Sequence, residues 1–157
     1  MKNKKKIFFS FVIVTIFLLI GFFLINHSVK KPILSTPANI KYLEIGGQRV
    51  KVDLALTSAE HTQGLSGRKE LTLNEGMLFV FNKPDKYLFW MKDMNFPIDI
   101  IWISEDMRIV YIKKDARPEL YPETYGPNVD AKYVLEVMNG FSDINNLREG
   151  DSVKFIY

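Results

Sequence analysis

Four charged residues, Arg68, Lys92, Asp99 and Glu136, lie in or beside apolar runs, and charge in such surroundings is either paired or put to use. The densest run is residues 89–103, FWMKDMNFPIDIIWI. Alternate side chains of an extended strand share a face, so Phe89 and Met91 point one way while Trp90 and Lys92 point the other. Asp99 shares its face with Ile101 and Ile103, and a carboxylate among isoleucines needs a partner. Lys92, at a neighbouring strand end, and Arg68, in a loop able to reach inward, are the expected partners. Such a cluster reads either as a structural ion pair or as the polar part of a pocket with Trp90 as its apolar wall. Glu136, inside YVLEV, adds a second carboxyl. Two carboxyls held about 5 to 10 Å apart can cleave a glycosidic bond, which makes Asp99 with Glu136 the alternative, hydrolytic reading.

Other chemistries find less support. The chain has no cysteine, hence neither thiol chemistry nor disulfides. Its two histidines, His27 and His61, are too far apart in sequence to suggest a zinc pair. Met77, Met91, Met94, Met107 and Met138 offer thioethers of the kind that select Cu(I), but methionine in a small core is ordinarily filler. No metal and no cofactor is therefore expected. An aromatic groove for a carbohydrate or peptide, using Trp90, Trp102, Tyr121 and Tyr125, is a further option.

The elements that must position these residues read as mainly β. IKYLEI and QRVKVDLAL flank Gly46-Gly47 as a hairpin with one wet face. Thr57 and Glu60 fit a capping box that opens a short helix ending at Gly64. MLFVF (77–81) and YLFWM (87–91) read as strands across a turn at 82–85, and 98–103 pairs with 108–113. Residues 114–130, with three prolines, form the longest irregular stretch and a natural cover for a cleft. Strands at 131–137 and 152–157, with at most one helical turn over 142–147, complete the chain. The expectation is an antiparallel jelly-roll-like sandwich or barrel with one short helix.

An N-terminal transmembrane helix is expected to precede it. Ile7 to Ile25 is nineteen residues without a charge, close to the roughly 20 needed to span the hydrocarbon core. Lys2, Lys4, Lys5 and Lys6 precede it, which places the N-terminus in the cytoplasm by the positive-inside rule. The expected organisation is a basic cytoplasmic tail (1–6), an anchor in membrane lipid (7–25), a linker (26–39) and an extracytoplasmic β domain (40–157). Secretion after cleavage of a signal peptide is the alternative, although no small-x-small site closes the apolar run. The formal net charge of +3 misleads, because six of the 21 basic residues and none of the 18 acidic ones lie in residues 1–31. The remaining 15 basic against 18 acidic residues leave the outer domain mildly acidic, without the basic footprint of a nucleic-acid binder.

Six blocks in order carry a resemblance: QGLSGR (63–68), GMLFVF (76–81), FWMK (89–92), PIDI (97–100), VLEV (134–137) with Gly140, and Gly150-Asp151. Over about residues 48–155 the chain resembles domain of unknown function 192, also called uncharacterised protein family 0127. The resemblance implies a mostly β, jelly-roll-like domain, often exported or membrane-tethered, and it implies no activity. Ser66 and Gly67 stand where that family typically has a methionine and a bulky residue, and Asp93 and Met94 where it has asparagine and threonine. The loops around Arg68 and Lys92 are thus expected to differ in detail. The expected role is a non-enzymatic binding module for a small molecule, carbohydrate or protein partner. Arg68, Trp90, Met91, Lys92, Asp99 and Glu136 form the candidate ligand-binding set, and no residue is assigned a catalytic role. A purely structural envelope protein is the third class.

Overall fold

The computed structural model describes residues 37–157. The expected basic tail, spanning helix and most of the linker lie outside the described residues. Among the described residues no helix is long and apolar enough to cross a membrane.

Among the described residues nine strands form in chain order: β1 (Tyr42–Ile45), β2 (Gln48–Ala55), β3 (Glu75–Asp85), β4 (Phe89–Trp90), β5 (Ile98–Ile103), β6 (Ile109–Ala116), β7 (Thr124–Tyr125), β8 (Ala131–Met138) and β9 (Val153–Ile156). Two short helices, α1 (Ser58–Gln63) and α2 (Phe141–Ile144), join them. Seven strands make one sheet in the order β6-β5-β8-β3-β2-β1-β9, while β4 and β7 form a separate ribbon. The large sheet curls until its two end strands meet. Arg108 bridges Ser152, the Ile109 N–H donates to the Asp151 carbonyl at 2.9 Å, and the Val153 N–H donates to Met107 at 2.9 Å. Curling of this kind covers strand edges that would otherwise invite pairing with another chain.

One pairing departs from the expected antiparallel plan. β2 and β3 run parallel, with Asp53 opposite Met77 and Ala55 opposite Phe79. A parallel pair requires a long crossover, and residues 56–74, including α1, supply it. The capping box forms as read: the Glu60 carboxylate accepts from the Thr57 N–H at 2.8 Å, and the Glu60 N–H donates to the Thr57 hydroxyl at 3.3 Å. The expected turn at 82–85 is instead the end of β3. Pro84 is tolerated there because the ladder to β8 is irregular between Val80 and Asp85.

The crossover has a consequence for burial. Inside the curl, Leu43, Val50, Leu78, Ile101, Leu135 and Val137 belong to one core cluster fed by most strands. On the opposite face, Leu65 and Leu71 of the crossover, Met91, and Tyr125 of β7 cover Met77, Phe79, Ile100, Trp102 and Val134. The central strands are therefore buried on both sides, and all six residues of β5 are buried. This explains why IDIIWI reads as a continuous apolar run rather than an alternating one. Trp102 is fully buried and its indole N–H donates to the Tyr87 carbonyl at 2.8 Å, so it belongs to the core and to no groove.

Candidate functional site

The register of β5 against β8 separates the two carboxyls. Asp99 lies opposite Val137, and Ile100 lies opposite Glu136. Neighbouring partners share a face, so Asp99 points with Val137 into the curl while Glu136 points with Ile100 to the outer face. They cannot converge on one bond, which overturns the alternative of a hydrolase built on this pair.

Asp99 is 1% exposed, and its partners are neither Lys92 nor Arg68. Its Oδ1 accepts the Asp115 N–H at 3.0 Å and its Oδ2 accepts the Ser142 N–H at 2.8 Å. Asp115 has φ of 51°, a conformation that turns its N–H away from the regular ladder, and Ser142 stands in the first turn of α2. The Gly140 that precedes α2 has no side chain to cap it, and Asp99 does so from a strand distant in sequence. The expected ion pair with Lys92 or Arg68 is replaced by these two backbone N–H groups.

Glu136 presents the opposite case. It is 4% exposed, and its Oε2 is buried without a hydrogen-bond partner among the described residues. Burial pushes its carboxyl up to about 8, partly offset by the Arg68 charge. At neutral pH the group is therefore protonated, with one O–H to donate and lone pairs to accept. Arg68 does not neutralise it. The Arg68 Nη2 lies 2.5 Å from the Asp53 carboxylate, a half-exposed surface pair. Along the sheet the order is Asp53, Met77, Glu136, so Met77 stands between that pair and the orphaned carboxyl.

Glu136 lines a pocket of about 140 Å³. α1 and the turn after it form one wall, the end of β3 another, and the strap from Tyr87 to Met94 the third. Its aromatic rings are packed in series. His61 lies 4.4 Å from Phe81 between centroids, Phe81 stacks on Tyr87 at 3.5 Å, and Phe89 meets Phe79 edge-on at 4.8 Å. Gly64 keeps the space over the carboxyl open: a Cβ there would lie 3.8 Å from the Glu136 Oε2 and 3.2 Å from Phe79. Its φ of 48° with ψ of −134° also suits glycine and little else.

Of the six candidate residues, Glu136 and Trp90 line this pocket, and Arg68 sits beside it at the surface. Trp90 is 49% exposed, at the rim, with the Tyr121 ring 6.1 Å away. Residues 114–130 thus reach the pocket mouth through Tyr121, while Tyr125 is buried beneath the ribbon. Lys92 is exposed in a shallow recess beside the rim, shared with Trp90 and Asp93. Met91 is core, and Asp99 is on the other face. The backbone ties the two loops around Arg68 and Lys92 together: the Ser66 hydroxyl donates to the Lys92 carbonyl at 2.8 Å and the Gly67 N–H to Asp93 at 2.9 Å. Sequence reasoning missed the aromatic lining, whose signal was the shared parity of Phe79 and Phe81 in β3 with Met77 opposite Glu136.

The order of the blocks and this arrangement of strands go with one family. A match to the family described as an uncharacterised ancient conserved region spans residues 41–155. The chain belongs to the DUF192 family. Two solved structures share the DUF192 fold seen here. A protein of unknown function from Novosphingobium aromaticivorans is 32% identical with a TM-score of 0.70, covering 76% of this chain and 89% of its own. A candidate transcription regulator from Sinorhizobium meliloti is 26% identical with a TM-score of 0.68, covering 73% of this chain and 90% of its own. No curated protein matches the chain. In both solved structures the matched region is nearly the whole chain, and residues 37–157 of this chain fall within one compact unit.

Proposed function

We propose that this DUF192 domain is a non-enzymatic binding module that holds a small molecule in the pocket between α1, the end of β3 and the 87–94 strap. The observation that carries this reading is the buried Glu136 Oε2, unpartnered in a wall of an open, aromatic-lined pocket. Leaving a buried polar group unsatisfied costs about 1–3 kcal/mol. A ligand that supplies the missing hydrogen bond recovers that free energy, while the rings enclose its apolar body. Trp90 and Tyr121 would close over it at the rim. Lys92 and Arg68, outside the lining, would tune the field rather than touch the ligand.

The test is a fragment screen by NMR on residues 37–157. Fragments that bind should shift the amides of Gly64, Phe79, Trp90 and Glu136 together and lose affinity in Trp90→Ala. Hits scattered over the surface, with none at Gly64 and Glu136, would sink the reading.

We further propose that residues 7–25 anchor the chain in the cytoplasmic membrane with the β domain outside, on the strength of the uncharged run and the lysines before it. Carbonate-resistant membrane association with the domain open to external protease is the expected result. A mature protein beginning beyond the apolar run would favour cleavage and secretion instead.

A further inference from the structure

We infer that the pocket of this binding module takes an organic cation, its ammonium or amidinium group seated against the Glu136 carboxylate and faced by the rings of Phe79, Phe89 and Trp90. The inference rests on the binding reading and adds to it the charge of the ligand. Three observations favour a cation over an anion or a neutral molecule.

First, among the described residues no lysine or arginine lines the pocket, so its lining offers an anion no fixed positive charge. The nearby Arg68 is held by Asp53 across Met77. Second, the Glu136 Oε2 has no partner, and a charge-assisted bond from an N–H of a cation is roughly twice as strong as a neutral one. Third, five aromatic rings, those of Phe79, Phe81, Tyr87, Phe89 and Trp90, stand in the lining, and ring faces attract cations when water is excluded.

The groups facing Glu136 from each neighbouring element are few. From α1 comes His61, whose Nε2 lies 3.0 Å from the Ala55 carbonyl and donates to it. From the following loop comes Arg68, and from the strap before β4 comes Tyr87. β3 and β5 contribute Met77, Phe79 and Ile100, which do not titrate. Binding of a cation breaks the Glu136 O–H bond: the proton leaves to solvent and the carboxylate stays to pair with the ligand. Affinity is consequently linked to pH.

The test uses calorimetry on residues 37–157 with benzylammonium and its neutral counterpart benzyl alcohol, each in two buffers of different protonation enthalpy. Benzylammonium should bind at pH 7 with release of close to one proton, tighten about tenfold per pH unit between pH 6 and pH 7, and level off near pH 8. Glu136→Gln should weaken benzylammonium by at least tenfold while leaving benzyl alcohol within about threefold. Equal binding of the two probes without proton release would overturn the cation inference and leave the binding module standing. Binding of neither probe, with fragment shifts also absent at Gly64 and Glu136, would overturn both.

Discussion

Asp99 and Glu136 are buried carboxyls on adjacent strands, one residue out of register and therefore on opposite faces of one sheet. Asp99 receives two backbone N–H groups that the local chain leaves free, one at a left-handed residue of β6 and one in the first turn of α2. Glu136 leaves its Oε2 unpartnered while the nearest guanidinium is engaged elsewhere. Equal burial thus conceals opposite roles. The first group stabilises the fold by completing it, and the second is buried at a cost to the fold.

The sharpest way to break this contrast is to remove Asp99. Asp99→Ala strands two buried N–H groups and should cost roughly 3–5 kcal/mol in urea unfolding, with Asn, which keeps one acceptor, costing about half. A cost below about 1 kcal/mol would erase the difference between the two faces. Glu136→Gln should move the other way. A group held up at about 8 against an ordinary 4.5 is protonated in the folded state at pH 7 and ionised in the unfolded one. The variant should therefore gain about 2–3 kcal/mol at that pH, read from the same unfolding curves, at about 1.36 kcal/mol per pH unit.

Gly64→Ala probes the space above the carboxyl rather than the carboxyl itself. Its backbone strain should cost about 1–3 kcal/mol, and the added methyl against Phe79 should abolish fragment shifts at Glu136. Arg68→Ala should change stability least, by under about 1 kcal/mol, because its pair with Asp53 is half exposed. That change should nevertheless push the Glu136 titration higher, as followed by carboxyl carbon NMR, since the Arg68 charge is what lowers it.

The features legible in the sequence were those set by neighbours in the chain. The Gly46-Gly47 hairpin, the Thr57–Glu60 capping box and the β5–β6 pair follow from local pattern. So does the alternation that sets Trp90 and Lys92 opposite Phe89 and Met91. The parallel pairing of β2 with β3 was not legible, because a helical crossover of that length suits either direction of return. Nor were the partners of Asp99, which are backbone groups at Asp115 and Ser142, far along the chain and invisible to side-chain reasoning. The facing of Glu136 depends on register between strands that are not consecutive, and its unpartnered oxygen is a property of the whole packed face.

The central claim, that Glu136 is buried without a partner, is tested most directly by unfolding residues 37–157 in urea from pH 5 to pH 9, beside Glu136→Gln. The folded-state value is raised, so the unfolded chain releases a proton that the folded chain keeps. Wild-type stability should therefore fall relative to the variant between about pH 5 and pH 8, by up to about 4 kcal/mol, and run parallel to it above. A difference between the two proteins that stays constant across that range would mean that Glu136 ionises as readily folded as unfolded, and would contradict the account.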